Sequence, residues 1–470
     1  MSAPILWIVL PIAVSGGLIL LARWRRISVL IGSTLATTLA FAAWLLPVGK
    51  SIPVGILVLE LQPSLTLFGR RFLVENSDRP LIVVINLTLA FWFIGSASTQ
   101  VRSLFIPLGL TIGAVLTAAV LVQPLYYGAI LLLLAAMLSI VLFVSEGRQV
   151  NLGIKRYWVF QSVAMPLLLL GGWLVSGTEA IPADLSEASF IYFLFLIAFS
   201  LLLSAIPFQS WLPAVSQEVN PYAFSFAFFS TSFSTLLFVI ALLGQYPWLF
   251  SSSWMVVFFS FQGFLMSLLG GVGAGYSRHL GKWMGYALIK EMGVCFLILG
   301  LGMGSSQSNT FLTILYMQVL PRGVALALLA YTLNIFRLNG GSLGLQDLAG
   351  IGRHYPFATI AFFVATLTLV GFPLTASFPI HLLVWQGWFQ QYPPIAFSAI
   401  MGSIGVLIGG LRAMAVLVRG ESMQSWTSNE SRQQIVLLMA SAIILLLFGV
   451  FPQWFLSLLF DLGMTYLQGG

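Results

Sequence analysis

Charged side chains are scarce in this chain of 470 residues. Asp, Glu, Lys and Arg together make up 7% of it, whereas 59% of the residues are hydrophobic. A water-soluble domain carries about 25% charged residues. So few charges could not solvate the surface of a protein of this size, which excludes a soluble enzyme, a disordered protein and a nucleic-acid-binding protein. The composition instead predicts an integral membrane protein surrounded by the lipid bilayer.

Cysteine is almost absent as well, since Cys295 is the only one in the sequence. A single cysteine excludes a disulfide framework, a thiolate metal site and a cysteine-ligated cluster. The sequence also lacks a phosphate-binding glycine loop with a lysine, a His/Cys/Asp metal spacing and a Ser-His-Asp constellation. We therefore predict no metal, no cofactor and no catalytic site of its own.

Long apolar stretches, in contrast, follow one another along the whole chain. A membrane-spanning helix needs about 20 mostly apolar residues. Fourteen stretches between charged or Pro/Gly breaks qualify, which predicts an all-α protein with a single polytopic membrane domain over 1–470. The twelfth and fourteenth are too long for one straight helix, so a break or an extra surface segment is expected in each. The stretches are 3–22, 28–47, 80–99, 103–121, 124–145, 157–175, 189–207, 221–244, 253–275, 283–304, 311–336, 356–389, 394–418 and 434–467.

The basic residues predict how these spans are oriented. The loops that follow odd-numbered spans contain thirteen Lys and Arg residues, whereas those that follow even-numbered spans contain four. All four lie in the connection 48–79, which we expect to form an extramembrane hairpin. Because cytoplasmic loops are enriched in Lys and Arg, both termini and this hairpin are predicted on the non-cytoplasmic side.

Two spans contain prolines at positions that would interrupt a helix. Pro207 ends the seventh span and Pro213 follows it by six residues, and Pro373 and Pro379 lie within the twelfth. Proline removes a backbone donor and clashes with the preceding turn. Broken helices at corresponding positions of two repeats are typical of ion pathways in transporters, since half-helix ends present complementary dipoles near the midplane. The alternative is a pair of proline kinks that only help the helices to pack.

Several motifs around these prolines resemble those of one membrane protein family. The run 207–213, PFQSWLP, with Glu218 and Pro221 behind it, resembles the "PFHxWLP…E…P" signature of antiporter-like membrane subunits. That family includes the proton-pumping subunits of complex I, their photosynthetic relatives and the large subunits of Mrp-type Na+/H+ antiporters. Three further stretches resemble family motifs, namely Gly153 to Tyr157, Lys282 to Gly293, and Gly371 through Pro373 and Phe378 to His381.

This resemblance covers nearly the whole chain and implies a specific architecture. It implies an inverted-repeat fold with a first half at 100–245, a second half at 250–420, and discontinuous helices as spans seven and twelve. It further implies a multi-pass protein of a bacterial inner (plasma) membrane or a thylakoid membrane. The partners would be other membrane subunits of a multisubunit complex, and the transported ion H+, or H+ in exchange for Na+.

The family's row of ionisable residues is largely missing from this sequence. The glutamate of the fifth span falls near Leu131, the lysine of the seventh on Leu202, and the lysine of the eighth on Ser232. The position in the twelfth span keeps a titratable group, His381. An ionisable residue inside a membrane is costly and for that reason is a functional candidate.

Four further charged residues are candidates for the ion pathway. Lys290 and Glu291 are adjacent in the tenth span, about five residues from its cytoplasmic end. Neighbours point some 100° apart on a helix, so we expect them to find other partners rather than to face each other. Either they form a functional charge pair with neighbouring spans, or they are structural and snorkel to the interface. Arg322 is predicted to form a structural ion pair with Glu291, and Glu218 to act as a helix cap or as a gate.

His381 admits two interpretations, because histidine titrates near neutral pH but a lone buried histidine is often structural. Two hypotheses therefore remain open for the whole chain. The first is a subunit that moves H+, or exchanges it for Na+, within a larger complex. The second is a structural or assembly subunit that has lost its own conduction path. A quinone-reducing enzyme in its own right is disfavoured because redox ligands are lacking; at most the chain is a membrane subunit of an NAD(P)H- or ferredoxin-quinone oxidoreductase-type complex.

Overall fold

The computed structural model describes residues 2–54, 57–144, 150–176, 185–305, 308–419 and 426–469. In these residues the chain is a bundle of helices, and its strands are short. The helices of the first half of the chain are α1 (Leu10–Leu20), α2 (Arg25–Leu45), α3 (Arg79–Ser96), α4 (Phe105–Leu121), α5 (Gly128–Phe143), α6 (Leu152–Val175), α7 (Leu185–Leu202), α8 (Trp211–Glu218) and α9 (Pro221–Gly244).

The second half of the chain continues the same pattern of long apolar helices. Its helices are α10 (Pro247–Phe250), α11 (Ser253–Tyr276), α12 (Leu280–Met303), α13 (Ser308–Met317), α14 (Val319–Gly340), α15 (Pro356–Val370), α16 (Phe378–Gln391), α17 (Pro393–Val418), α18 (Arg432–Val450) and α19 (Gln453–Gly469). The long apolar stretch at the C-terminus is thus divided between α18 and α19, around Phe451 and Pro452.

The apolar helices identify an integral membrane protein. In the described residues, ten helices are long and apolar enough to cross a membrane by length and composition. Four shorter apolar helices of 10–17 residues accompany them, namely Ile5–Leu20, Phe105–Leu121, Ala188–Leu202 and Pro356–Val370. A lipid environment explains this architecture, because only segments that satisfy their own backbone hydrogen bonds are stable in hydrocarbon.

The connection between α2 and α3 contains two antiparallel hairpins, where the sequence predicted one. Strand β1 (Ser51–Val54) pairs with β2 (Leu57–Glu60), and β3 (Ser64–Leu67) pairs with β4 (Arg70–Leu73) in the register Ser64 to Leu73. A short strand β5 (Val122–Gln123), at the end of α4, pairs with β4. The second hairpin therefore rests against the end of α4.

Two segments without helix lie beside the prolines named above. Residues 203–207 separate α7 from a 3-10 turn (Phe208–Ser210) and α8, and residues 371–377 separate α15 from α16. Pro207 and Pro373 lie in these segments. Pro213 and Pro379 instead lie in the first turns of α8 and α16, where a missing N–H leaves no helical hydrogen bond unmade.

Helix α12 lies at the centre of the second half, packed against α8, α11, α13, α16 and α17. Small residues allow this dense packing. A Cβ on Gly293 would lie 2.6 Å from the backbone nitrogen of Ser267 in α11, and one on Gly270 would lie 2.5 Å from the backbone nitrogen of Lys290. The middle of α12 is therefore shielded from the outside of the bundle.

Candidate functional site

Two charged residues occupy the middle of the buried helix α12. Lys290 is 0% exposed and Glu291 is 2% exposed. Because α12 begins at Leu280, they are its eleventh and twelfth residues, not about five residues from its end as the sequence suggested. Neither side chain can reach water by snorkelling from this depth, so each needs a partner within the protein.

Lys290 makes three polar contacts. Its Nζ lies 2.9 Å from Glu291 Oε1, 3.0 Å from the carbonyl oxygen of Leu369 and 3.1 Å from His381 Nε2. The expectation that Lys290 and Glu291 do not face each other was therefore wrong. Their Cβ atoms do diverge, but the four-carbon stem of lysine is long enough to curl back and bring the ammonium to the neighbouring carboxylate.

The carbonyl of Leu369 is free to accept from Lys290 because of a proline. In an α-helix this carbonyl would accept from the backbone nitrogen of residue 373, but Pro373 has no N–H. Helix α15 ends at Val370, and Lys290 Nζ occupies the vacant acceptor. The C-terminal end of a helix carries partial negative charge, which favours a cation at this place.

His381 reaches the cluster from the other side of the interruption. Its Nδ1 lies 3.0 Å from the carbonyl oxygen of Ser377, and its Nε2 lies 3.4 Å from Glu291 Oε1. Gly371 provides the space, since a Cβ on it would lie 2.5 Å from His381 Cγ. Gly371 also has φ +74°, in the left-handed region that favours glycine.

The contacts of His381 fix its tautomer. A carbonyl oxygen only accepts, so Nδ1 carries a hydrogen and donates to Ser377, which leaves Nε2 as the atom that gains or loses a proton. That atom faces the Lys290 ammonium, and both nitrogens lie against the same carboxylate oxygen of Glu291. A proton can therefore be held on Nζ or on Nε2 beside one fixed negative charge.

Arg322 contacts sulfur atoms rather than Glu291. Its Nη1 donates to Cys295 Sγ at 3.0 Å and its Nη2 to Met292 Sδ at 3.3 Å. The predicted ion pair between Arg322 and Glu291 is therefore wrong. Gln318 takes that place, because its Nε2 donates to Glu291 Oε2 at 3.3 Å. The side-chain amide of Gln318 therefore lies between Glu291 and Arg322, and Gln318 precedes Arg322 by four residues in the sequence.

A second polar site lies in the first half, and it holds neutral side chains. Gln161 Nε2 donates to the carbonyl of Leu202 at 3.3 Å, and Trp211 Nε1 donates to Ser204 Oγ at 2.9 Å. Leu202 and Ser232 line a cavity of about 20 Å³ here, together with Leu132, the neighbour of Leu131. The positions where the resemblance implied ionisable groups thus converge in space, but without charges.

A family model described as "NADH:quinone oxidoreductase/Mrp antiporter, TM" matches residues 125–409. The chain belongs to this family. It is 23% identical over 441 residues to a protein named NADH-quinone oxidoreductase subunit N of Pelagibacter ubique, covering 88% of this chain and 91% of that protein. Over 387 residues it is 27% identical to the protein of the same name from Azorhizobium caulinodans, covering 77% and 78% of the two chains.

Solved structures share the fold of this family member. A chain of the Mrp complex from Dietzia sp. DQ12-45-1b superposes with a TM-score of 0.79 at 17% identity, covering 99% of this chain and 98% of that one. A chain of respiratory complex I from Thermus thermophilus superposes with a TM-score of 0.77 at 22% identity, covering 99% and 100%. At these identities the superpositions establish the antiporter-like fold.

Glu218 lies apart from the charged cluster of this family member. It is the last residue of α8 and is exposed, and its backbone carbonyl accepts from Arg337 Nη2 at 2.7 Å. Its side chain borders a surface cavity of about 200 Å³ with Gln217, His279 and Arg337. The structure therefore brings together Lys290, Glu291 and His381, with Arg322 close by, but not Glu218.

The sequence analysis missed the neutral residues of the cluster. Gln318 was not considered because it is uncharged, and Cys295 was considered only as the single cysteine of the chain. A usable signal was the spacing. Glu291 and Cys295 are four residues apart on α12, and Gln318, the N-cap of α14, is four residues before Arg322, so each pair shares one helical face. In the described residues, no group of three His, Cys, Asp or Glu side chains could hold a metal ion.

Proposed function

We propose that this chain is a proton-translocating membrane subunit of a multisubunit complex of the complex I or Mrp type. The observation that carries the proposal is the contact of Lys290, His381 and Glu291 inside the membrane domain, at the gap between α15 and α16. Buried ionisable groups are expensive in a bilayer and are characteristic of proton relays. The relatives named NADH-quinone oxidoreductase subunit N support the same assignment.

The cluster can pass a proton between two nitrogens that lie against the same carboxylate oxygen. Lys290 Nζ lies 2.9 Å and His381 Nε2 lies 3.4 Å from Glu291 Oε1, so the carboxylate is beside whichever nitrogen holds the proton. Transfer across the 3.1 Å between the two nitrogens moves the positive charge while the carboxylate still stabilises it. The contact of Nζ with Nε2 therefore provides a direct route for a proton between Lys290 and His381.

The same geometry favours H+ over Na+ as the ion that this site handles. Hard cations bind to several oxygen ligands arranged around one point. Here the Lys290 ammonium occupies that position, and it is already bound to one carboxylate oxygen, one carbonyl oxygen and one imidazole nitrogen. A sodium ion would have to displace the ammonium.

We further propose a topology of fourteen spans with discontinuous helices as spans seven and twelve, and inverted halves at 100–245 and 250–420. Both termini and the 48–79 hairpins would lie on the non-cytoplasmic side of a bacterial inner membrane or a thylakoid membrane. The distribution of Lys and Arg between the loops supports this orientation.

The alternative function is a structural or assembly subunit that does not conduct. The observation in its favour is the first half, where Gln161, Ser204 and Ser232 line a cavity that, among the described residues, has no Asp, Glu, His, Lys or Arg in its lining. A path confined to one half would need another entrance for the proton, which a partner subunit could provide.

The deciding experiment measures proton flux through the purified complex in vesicles, with His381→Ala against His354→Ala. His354 is a half-buried histidine whose Nδ1 lies 2.9 Å from Thr427 Oγ1, so its replacement controls for the loss of an imidazole. Flux should fall in His381→Ala and stay unchanged in His354→Ala, in sodium-free buffer. Equal flux from both variants, with equal assembly, would favour the structural function.

A further inference from the structure

The positive charge of Arg322 is buried without a carboxylate of its own. The residue is 4% exposed, and its Nε has no hydrogen-bond partner. Its Nη atoms contact a thiol and a thioether, which are weak acceptors. A guanidinium remains charged in proteins. Its counter-charge must therefore be found beyond the atoms that it touches.

A hydrogen-bonded chain connects Arg322 to Glu291. Arg322 Nη1 donates to Cys295 Sγ at 3.0 Å, the Cys295 thiol donates to Gln318 Oε1 at 3.5 Å, and Gln318 Nε2 donates to Glu291 Oε2 at 3.3 Å. Every donor in this chain points from the guanidinium toward the carboxylate. The chain ends on the carboxylate oxygen that Lys290 and His381 leave free, since both of them contact Oε1.

We infer that Arg322, Cys295 and Gln318 form a positioning chain that keeps Glu291 ionised and oriented for proton transfer between Lys290 and His381. This inference rests on the proposed function. A direct Arg322–Glu291 ion pair would occupy both carboxylate oxygens. A chain through two neutral groups instead stabilises the negative charge and leaves Oε1 to Lys290 Nζ and His381 Nε2. Because Arg322 is positive and Glu291 is negative, the cluster is neutral when Lys290 and His381 are both uncharged. A proton on Lys290 or His381 is then the one excess positive charge of the cluster.

In the described residues, no further charged side chain belongs to the cluster whose net charge was just counted. The ionisable groups of the cluster are Lys290, Glu291 and Cys295 on α12, Arg322 on α14 and His381 on α16, while α15 contains none. Elsewhere on α12, α14 and the helices packed against them, the ionisable residues are tyrosines or charges in the first or last two turns. These are Arg79, Glu218, Tyr222, Tyr276, Lys282, Tyr286, Tyr316, Tyr331, Arg337, Arg412 and Arg432.

The test is the pH dependence of proton flux through the assembled complex in vesicles, with Arg322→Gln, Cys295→Ala and Cys295→Ser. Without the charge of Arg322, the cluster binds its protons more tightly, so the pH of half-maximal flux should rise by about one unit. Cys295→Ala breaks the chain and should shift the profile in the same direction. Cys295→Ser keeps an O–H that both donates and accepts, so it should restore the profile of the unmodified complex.

The outcomes separate this inference from the proposed function. An unchanged profile in Arg322→Gln, with flux abolished in His381→Ala, would overturn the role of Arg322 and leave the proposed function standing. If Arg322→Gln fails to assemble, the two Cys295 variants decide. Equal profiles for Cys295→Ala and Cys295→Ser would overturn the chain, because a purely structural thiol predicts no rescue by serine. Flux that is indifferent to His381→Ala would instead remove the proposed function itself.

Discussion

The polar sites around Leu202 and Leu369 both pair a backbone carbonyl at the end of a helix, but with different side chains. In each half a helix ends inside the bundle and leaves a carbonyl without an intrahelical donor. Gln161 donates to Leu202 in the first half, and Lys290 donates to Leu369 in the second. The two donors thus occupy equivalent roles, one as a neutral amide and one as a cation.

Neutral side chains also complete the interruption in the first half. Gln262 of α11 pairs with both backbone groups of Ile206, accepting from its N–H at 3.1 Å and donating to its carbonyl at 2.9 Å. An interrupted helix is therefore stable in this fold without any charge, as long as its backbone groups are paired. A helix-free segment beside a proline therefore does not by itself indicate a proton path, and the proposal for the second half depends on the charges of Lys290, Glu291 and His381.

Lys290→Met should have the largest effect and tests whether the second half carries the flux. The variant keeps the length of the side chain but removes the proton and the donor to Leu369. Groups that transfer protons typically contribute 10²–10⁴-fold to a rate, so flux through the assembled complex should fall by about 100-fold. The matched control is Lys282→Met, an exposed lysine in the first turn of α12. Equal flux from both variants would show that the second half is not the path.

Ser232→Lys places a charge in the first half, whose cavity is lined by neutral side chains. Its effect should be nearly as large as that of Lys290→Met, but it should reduce the amount of assembled complex rather than the flux. The cavity of about 20 Å³ offers no carboxylate to pair with a lysine. A charge at the centre of a bilayer costs about 2.5–3.5 kcal/mol. We therefore expect much less assembled complex than with Ser251→Lys, which changes an exposed serine.

A second substitution sharpens this test of the first half. Leu132 lines the same cavity as Ser232, so Leu132→Glu combined with Ser232→Lys should recover part of the lost assembly by pairing the two charges. If Ser232→Lys alone assembled as well as the unmodified chain, the neutral half would have to be hydrated. The two halves would then not differ in their tolerance of charge.

Gly371→Ala should reduce flux by about tenfold, which corresponds to about 1.4 kcal/mol. Its Cβ would meet His381 Cγ at 2.5 Å and push the imidazole away from Lys290. Gly341→Ala is the control, because Gly341 has φ +75° but no atom within 4 Å of an added Cβ. Gly341 has ψ −39°, outside the left-handed helical region that Gly371 occupies with ψ 43°, so an alanine is strained at least as much at position 341. A lower flux per assembled complex in Gly371→Ala than in Gly341→Ala therefore reports the displacement of His381.

Hydropathy accounts for most of the helices, since apolar length is a local property of the sequence. The apolar stretch at 253–275 corresponds to α11 at Ser253–Tyr276, and the one at 221–244 to α9 at Pro221–Gly244. The start of α12 differed by three residues because charged residues mark where apolar sequence begins, not where helical hydrogen bonding begins. The difference moves Lys290 from the eighth residue of the predicted span to the eleventh of the 24 residues of α12, which is its middle.

The candidate site was less predictable, because it depends on side-chain reach and on neutral partners. The sequence singled out Lys290, Glu291 and His381 one by one, but helix geometry alone argued against contact between the first two. Arg322 was assigned to Glu291 on charge alone, whereas the structure inserts Gln318 and Cys295 between them. Neutral donors such as Gln161 and Gln262 carry no signal in a single sequence, although they hold the first interruption together.

Gln161→Leu should have the smallest effect, and it tests whether the first half serves structure alone. The substitution removes the donor to the Leu202 carbonyl, and a buried acceptor left without its partner costs about 1–3 kcal/mol. The thermal midpoint of the purified complex should therefore fall, while proton flux per assembled complex stays within about twofold of normal. The control is Gln391→Leu, an exposed glutamine at the end of α16, which should change neither quantity.

Comparing the flux of Gln161→Leu with that of Lys290→Met separates the effect of an unpaired carbonyl from the effect of a lost proton. Both variants leave one carbonyl at the end of a broken helix unpaired, so any loss of flux due only to that carbonyl should appear in both. A loss confined to Lys290→Met assigns the flux to the proton on Nζ rather than to the pairing of the helix end. A large loss of flux in Gln161→Leu, at normal assembly, would instead make the amide of Gln161 part of the pathway. The assignment of flux to the second half and of structure alone to the first half would then be wrong.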